Sequence, residues 1–225
     1  MGKGSFFSAK RITGLAVLLA LVIVLQLVGS YIKIGATSFS FVLVPIVIAG
    51  LMYGVIAGAI LGFAFGLVVL LQGISGVDGF TMILFEDHPF FTTLLCLGKG
   101  TAAGVVSALL YKFIAPKNEY VGVFAAAIAA PVVNTGLFIL GSLAFLQDSM
   151  IGAGFTDADS MMYFLIVTCA GVNFLVELAI NLIAAPSVYR VTGILKGRRK
   201  TFLEDEEDTV SELNAVSSER KDELE

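Results

Sequence analysis

The chain has 225 residues, 57% of them hydrophobic and only 14% charged, and its net charge is −4. Soluble globular domains average about 45–50% apolar and about 25% charged residues, so this composition excludes an ordinary soluble domain and indicates a membrane protein. With one histidine and two cysteines, the sequence offers no multi-histidine metal site and no disulfide scaffold, and no cofactor is expected.

Six segments are apolar enough to cross a bilayer, for which about 20 mostly apolar residues are needed. The stretch from Ser40 to Gln72 is too long for one span, so we expect it to be divided near Tyr53. Its first part is short and contains Pro45, and is expected to be tilted, broken or partly buried. The predicted spans cover about residues 12–30, 40–53, 54–72, 92–113, 120–145 and 161–191. The expected fold is an all-α polytopic membrane protein with six transmembrane helices.

Basic residues between the spans indicate their orientation, because cytoplasmic loops accumulate Lys and Arg. One side carries most of them: Lys3, Lys10, Arg11, Lys112, Lys117, Arg190, Lys196, Arg198, Arg199 and Lys200. The other side carries Lys33 and acidic residues such as Asp78 and Asp87. Both termini are therefore expected in the cytoplasm. The first span is expected to be retained, because its apolar stretch is longer than that of a signal peptide.

Residues 201–225 contain ten acidic and two basic residues and show no hydrophobic periodicity. We predict a disordered acidic cytoplasmic tail that follows a membrane domain formed by residues 1–200. Without the tail the chain is mildly basic, with twelve basic and eight acidic residues. These bases form no patch of the kind that binds nucleic acids, so no nucleic-acid partner is expected.

Small residues recur at helical spacing in two spans. Five glycines repeat every four residues: Gly50, Gly54, Gly58, Gly62 and Gly66. This spacing aligns them on one stripe where a neighbouring backbone can approach closely, and we interpret the stripe as internal helix packing. Ala16 and Ala20 form an A-x-x-x-A pair in the first span. The pattern alone favours internal packing of this pair and leaves docking of a separate membrane subunit open.

Polar residues within the spans are informative, because an ionisable group at the bilayer centre costs at least about 2.5–3.5 kcal/mol on insertion scales. Lys99 and Asn134 lie in the fourth and fifth spans. Asn173, Glu177 and Asn181 share one stripe of the sixth. Two interpretations are open: an internal network that neutralises Lys99, and an outward-open cavity where Lys99 binds an anionic ligand. Straight helices would place Glu177 about 15 Å deeper than Lys99, which favours the cavity.

The sequence contains none of the motifs H-E-x-x-H, G-x-S-x-G and G-x-x-x-x-G-K-[ST]. The chain is therefore not expected to be an enzyme. It also has no ATP-binding module, so transport against a gradient would need partner subunits or an ion gradient.

Three segments follow the alanine pair in a characteristic order. They are FVLVPIVIAGLMYGVIAGAILGFAFGLVVLL (41–71), LGKGTAAGVVSALLYKF (97–113) and APVVNTGLFILG (130–141). With the six spans, they resemble the substrate-binding S components of energy-coupling factor (ECF) vitamin transporters over residues 10–195. The resemblance implies a multi-pass protein of the prokaryotic cell membrane that binds a water-soluble vitamin. It also implies a transmembrane coupling subunit and two cytoplasmic ATPases as partners.

The resemblance assigns roles to individual positions. In that family the A-x-x-x-A surface contacts the coupling subunit, which maps onto Ala16 and Ala20 here. The vitamin binds near the outer side, through the first loop and the last three helices. The matching positions are Lys33, Lys99, Asn134 and Asn173, with Glu177 and Asn181 expected to support or gate the site.

The vitamin expected from the resemblance is pantothenate, because GSYIKIGATSFSFVLVPIVIAG (29–50) is most similar to the pantothenate-type branch. A single lysine in the cavity, Lys99, also suits a carboxylate. Riboflavin and folate are the alternatives: riboflavin would favour aromatic stacking in a chain without tryptophan, and folate would favour more than one cation. A different class of function is a standalone ion-coupled secondary transporter, with Glu177 as the proton-coupling carboxylate.

Overall fold

The computed structural model describes residues 9–31, 33–34, 37–38 and 41–194, and side chains for 11–31 and 41–194. Most of this part is helical. The helices are α1 (Ala9–Gly29), α2 (Leu43–Tyr53), α3 (Val55–Ile74), α4 (Gly79–Asp87), α5 (Pro89–Ile114), α6 (Glu119–Phe145), α7 (Gln147–Gly152) and α8 (Met161–Ile194). Two short strands, β1 (Lys33–Ile34) and β2 (Thr37–Ser38), pair antiparallel between α1 and α2. The predicted acidic tail, 201–225, lies outside the described residues.

Five of the described helices are long and apolar enough to cross a membrane, namely α1, α3, α5, α6 and α8. The expected all-α polytopic membrane fold is thereby confirmed. The remaining predicted span corresponds to α2, which has 11 residues and extends only about 16 Å. This is too short to cross a bilayer alone. As expected for this segment, it is largely buried inside the protein, where Leu43, Ile46 and Ala49 are fully enclosed.

The break between α2 and α3 falls at Gly54, next to the predicted division near Tyr53. Gly54 has a φ of 96°, a left-handed backbone conformation that glycine adopts without a steric penalty. The chain changes direction there, and the two helices then pack closely, since a Cβ built on Gly58 would lie 3.3 Å from the Gly50 Cα.

The glycine stripe packs α3 directly against the backbone of α5. A Cβ at Gly62 would overlap the carbonyl oxygen of Gly100, and a Cβ at Gly100 would overlap that of Gly62. Gly58 and Gly104 form the same reciprocal contact one turn away. The stripe is therefore an internal packing surface, as predicted, and α3 is a central element of the fold.

α1 lies at the periphery of the described fold. Only 17% of the residues in its most apolar stretch are buried, against 50% in α3. Its first turns are attached to α2: Arg11 Nη2 donates a hydrogen bond to the Tyr53 carbonyl oxygen at 3.0 Å, and the Tyr53 hydroxyl lies against Gly14. Further along α1, Val22 and Gln26 are buried on its inner side.

The short helices α4 and α7 pack against the start of α8 in an apolar cluster. Its buried members are Phe80, Leu84, Leu146, Met150, Met161, Phe164, Leu165 and Cys169. Phe80 holds this cluster against α6, because its ring lies 6.2 Å from the Phe138 ring, centroid to centroid. The chain divides into two compact units, Met1–Pro186 and Ser187–Glu225, and the site described next lies within the first.

Candidate functional site

A polar pocket lies among α1, α3, α5, α6 and α8, beside the start of α4. Its lining residues are Gln26, Phe65, Val69, Asp78, Phe80, Thr81, Lys99, Asn134, Thr135, Phe138, Cys169, Ala170, Asn173 and Glu177. It thus brings together four of the residues expected to bind substrate: Lys99, Asn134, Asn173 and Glu177. The cavity volume is about 80 Å³, whereas ligand pockets usually measure about 300–1,000 Å³. A ligand of vitamin size therefore requires the pocket to widen.

Lys99 supplies the positive charge of the pocket. It is half-buried, and its Nζ lies 5.1 Å from the centroid of the Phe138 ring, a distance at which the ring attracts a cation. In the described part of the chain, no carboxylate forms an ion pair with Lys99. The ammonium group is thus held in the pocket by an aromatic ring and keeps its hydrogen-bond donors for another group.

Glu177 lies in the same pocket and is almost completely enclosed, with 2% of its surface exposed. Its carboxyl group interacts with the charge of Lys99 and with the side chain of Asn134. Straight helices predicted a depth difference of about 15 Å between Lys99 and Glu177. Both residues nevertheless line one pocket, and α8 is not a regular helix.

The irregular part of α8 is a π-helical segment, Phe164–Gly171. Such segments add a residue to a helical turn and occur frequently at functional sites. Cys169 and Ala170 from this segment line the pocket, and Asn173 and Glu177 line it from the α-helical turns that follow.

Asn181 continues the stripe of Asn173 and Glu177 but does not line the pocket. It is buried, and its Nδ2 donates a hydrogen bond to the Glu177 carbonyl oxygen at 2.8 Å. The three residues share one stripe of the helix, but only Asn173 and Glu177 line the pocket.

A buried row of side-chain hydrogen bonds between α1 and α3 was not predicted from the sequence. Gln26 Nε2 donates to Gln72 Oε1 at 2.9 Å, and Gln72 Nε2 donates to Ser30 Oγ at 3.0 Å. Gln26 also lines the pocket. The available signal was two glutamines within apolar spans, since uncharged polar residues also form hydrogen bonds between membrane helices.

Asp78 is a second missed residue, located between α3 and α4. It lines the pocket, and Thr81 Oγ1 donates a hydrogen bond to its Oδ2 at 2.6 Å. Its position in a polar loop gave no reason to connect it with Lys99. The pocket therefore contains one ammonium group and the carboxyl groups of Asp78 and Glu177, a combination suited to a ligand with both acceptor and donor groups.

Of the remaining predicted residues, Ala16 and Ala20 do not line the pocket. Ala16 and Ala20 are both exposed on α1, on a side that the described residues do not cover. Lys33 belongs to β1, but its side chain lies outside the described part of the structure. No group of three or more His, Cys, Asp or Glu side chains that could hold a metal ion occurs among the described residues.

The chain matches the family model of the ECF transporter, substrate-specific component, over residues 10–189. The matched range includes every residue that lines the pocket, as well as Ala16 and Ala20. No curated protein matches the chain.

Proposed function

Because the chain belongs to the family of ECF transporter substrate-specific components, we propose that it binds a small water-soluble vitamin at the outer side of a prokaryotic cell membrane. A transmembrane coupling subunit and two cytoplasmic ATPases then complete the uptake system. The family consists of transporter components rather than enzymes, so the chemistry of this chain is recognition.

The observation that carries this proposal is the convergence of polar side chains from separate apolar helices on one pocket. Lys99, Asn134 and Glu177 come from α5, α6 and α8. Polar groups within membrane spans are costly and usually mark a substrate or ion path, and here they face one another. We infer that Lys99 binds the anionic group of the vitamin, while Asn134 and Asn173 form hydrogen bonds with its polar groups.

Pantothenate is the favoured vitamin. It carries one carboxylate, which the single ammonium group of Lys99 can neutralise, and it is smaller than riboflavin and folate. The small cavity supports the smaller ligand, because less displacement of the lining side chains is then needed. Riboflavin and folate remain the alternatives to be tested beside it.

The exposed side of α1 is the proposed docking surface for the coupling subunit. Ala16 and Ala20 are small and outward-facing, so a partner helix can approach the α1 backbone closely. Gln26, about a quarter of a turn round α1 from this pair, lines the pocket. One helix would thus contact both the partner and the vitamin, through neighbouring sides.

The first experiment is mass spectrometry of the small molecules released when the purified chain is denatured, followed by titration with pantothenate, riboflavin and folate. We expect a vitamin to be released and to bind again at micromolar or lower concentration. If nothing is released and none of the three vitamins binds, this function is wrong. Uptake by the chain alone in liposomes, driven by an ion gradient without ATPases, would instead establish a secondary transporter that uses the buried Glu177.

A further inference from the structure

The pocket contains acceptor atoms of Glu177 and Asn134 that are enclosed by protein without a donor in the described part of the chain. Among the described residues, no group donates a hydrogen bond to Glu177 Oε2 or to Asn134 Oδ1. Both residues are more than nine-tenths buried, with 2% and 7% of their surfaces exposed. Buried acceptors without partners are rare in proteins, because each loses its hydrogen bonds with water and gains none in return.

These two atoms differ from a buried polar atom that only fills space. Ser142 is also fully buried and its Oγ also lacks a partner, but Ser142 does not line the pocket. Glu177 and Asn134 do line it, and the Asn134 side chain interacts with the Glu177 carboxyl group. The two oxygens therefore form an acceptor pair at one cavity.

The charges in the pocket set a second requirement on the ligand. Lys99 can neutralise one anionic group, but Glu177 and Asp78 line the same cavity. A carboxylate without donor groups would bring further acceptor oxygens to a pocket in which Glu177 Oε2 and Asn134 Oδ1 already lack a donor among the described residues. A ligand that also carries donors would satisfy this acceptor pair.

From these observations we propose that Glu177 Oε2 and Asn134 Oδ1 bind a donor-bearing end of the substrate directly. The substrate class is a carboxylate whose other end carries paired hydrogen-bond donors, such as two hydroxyl groups or an NH₂ group. Glu177 is then a specificity-determining residue rather than a supporting one. This inference rests on the proposed function and specifies the substrate class for the same pocket.

The test compares pantothenate with its analogue in which hydrogen replaces both hydroxyl groups, so that the pair differs only in donors. Both compounds are titrated into the purified full chain, its Glu177→Leu variant and a Ser142→Ala control. We expect the wild type to prefer pantothenate about tenfold or more, the effect of two ordinary hydrogen bonds. Glu177→Leu should abolish most of the preference, and Ser142→Ala should retain it.

The preference, rather than the affinity alone, separates recognition from a structural role. A variant that merely distorts the pocket weakens both compounds equally and keeps their ratio, and that result would overturn the inference. Equal binding of the two compounds by the wild type, or binding of neither, would overturn it as well. The proposed function fails separately, when the purified chain releases no vitamin and binds none.

Discussion

The glycine stripe of α3 and the alanine pair of α1 are both small-residue patterns with four-residue spacing, yet they meet different surroundings. Gly58 and Gly62 are pressed against the backbone of α5, whereas Ala16 and Ala20 face outward. The spacing predicts that another helix can approach closely, but not whether that helix belongs to the same chain. The stripe is accounted for by α5, whereas the alanine pair forms a surface that the described residues do not cover.

The strongest test of the α3–α5 contact is Gly62→Ala. The added Cβ would overlap the Gly100 carbonyl oxygen and lie 3.0 Å from the Thr101 Cα. Because backbone atoms cannot move aside as a flexible side chain can, we expect destabilisation at or above the upper end of the 1–3 kcal/mol that is roughly typical of overpacking. Thermal unfolding of the purified protein in detergent, followed by circular dichroism, measures the effect.

Gly98→Ala is the matched control, since nothing lies within 4 Å of a Cβ at Gly98. Alanine favours a helix over glycine, so this variant should be as stable as the wild type or slightly more stable. Similar unfolding temperatures for Gly62→Ala and Gly98→Ala would show that the α3–α5 contact is looser than described.

The converse test enlarges the exposed pair on α1. Ala16→Leu together with Ala20→Leu should leave folding and vitamin binding unchanged, because both side chains point away from the described residues. Uptake by cells that also produce the coupling subunit and the ATPases should fall at least tenfold, since the partner can no longer approach the α1 backbone. The control is Ile183→Phe, which adds bulk at an exposed position of α8. Unchanged uptake by the double variant would contradict docking at α1.

A smaller effect is expected on α5, where substrate binding and helix packing involve neighbouring residues. Lys99 lines the pocket, while its neighbour Gly100 belongs to the α3–α5 contact. Lys99→Met should weaken pantothenate binding about tenfold or more, as expected for loss of a charged hydrogen bond, without lowering the unfolding temperature. Lys112→Met, at the exposed end of α5, should change neither property. Equal affinity of Lys99→Met and the wild type would remove Lys99 from the site.

Much of the fold could be predicted because membrane spans are defined by composition and length. The bounds of the long helices agree with the predicted spans to within a few residues, and the division near Tyr53 is confirmed by the break at Gly54. The exception is α2, since an apolar stretch of its length is compatible with either crossing a bilayer or being buried in a core. Whether such a segment crosses the bilayer or is buried depends on the helices that pack around it.

Part of the polar pocket could also be predicted from the composition of the spans. Charged residues and asparagines in apolar spans stand out, so Lys99, Asn134 and Glu177 could be identified from the sequence. Gln26 was overlooked although it also lies in an apolar span, and the loop position of Asp78 gave no signal. The π-helical segment of α8 was not predictable, because it has no compositional signature. Nor was the position of Asn181 outside the pocket, since it shares the stripe of Glu177 but donates a hydrogen bond to the backbone of α8.

The smallest expected effect concerns how α1 is attached to α3. Gln72 is buried and joins Gln26 to Ser30 through two hydrogen bonds. Hydrogen bonds between membrane helices average about 0.6 kcal/mol, so Gln72→Leu should destabilise the protein by about 1 kcal/mol. Leu71→Met, at the exposed neighbouring position, should have no effect.

A double-mutant cycle of Gln26→Leu and Gln72→Leu separates the hydrogen bond between the glutamines from other effects of each change. If the two side chains act as a pair, the double variant is less destabilised than the sum of the single variants. α1 would then be held by a few polar contacts, whereas α3 and α5 are held by continuous backbone packing. Additive effects would contradict this, because they would show that the two glutamines contribute independently rather than through their hydrogen bond.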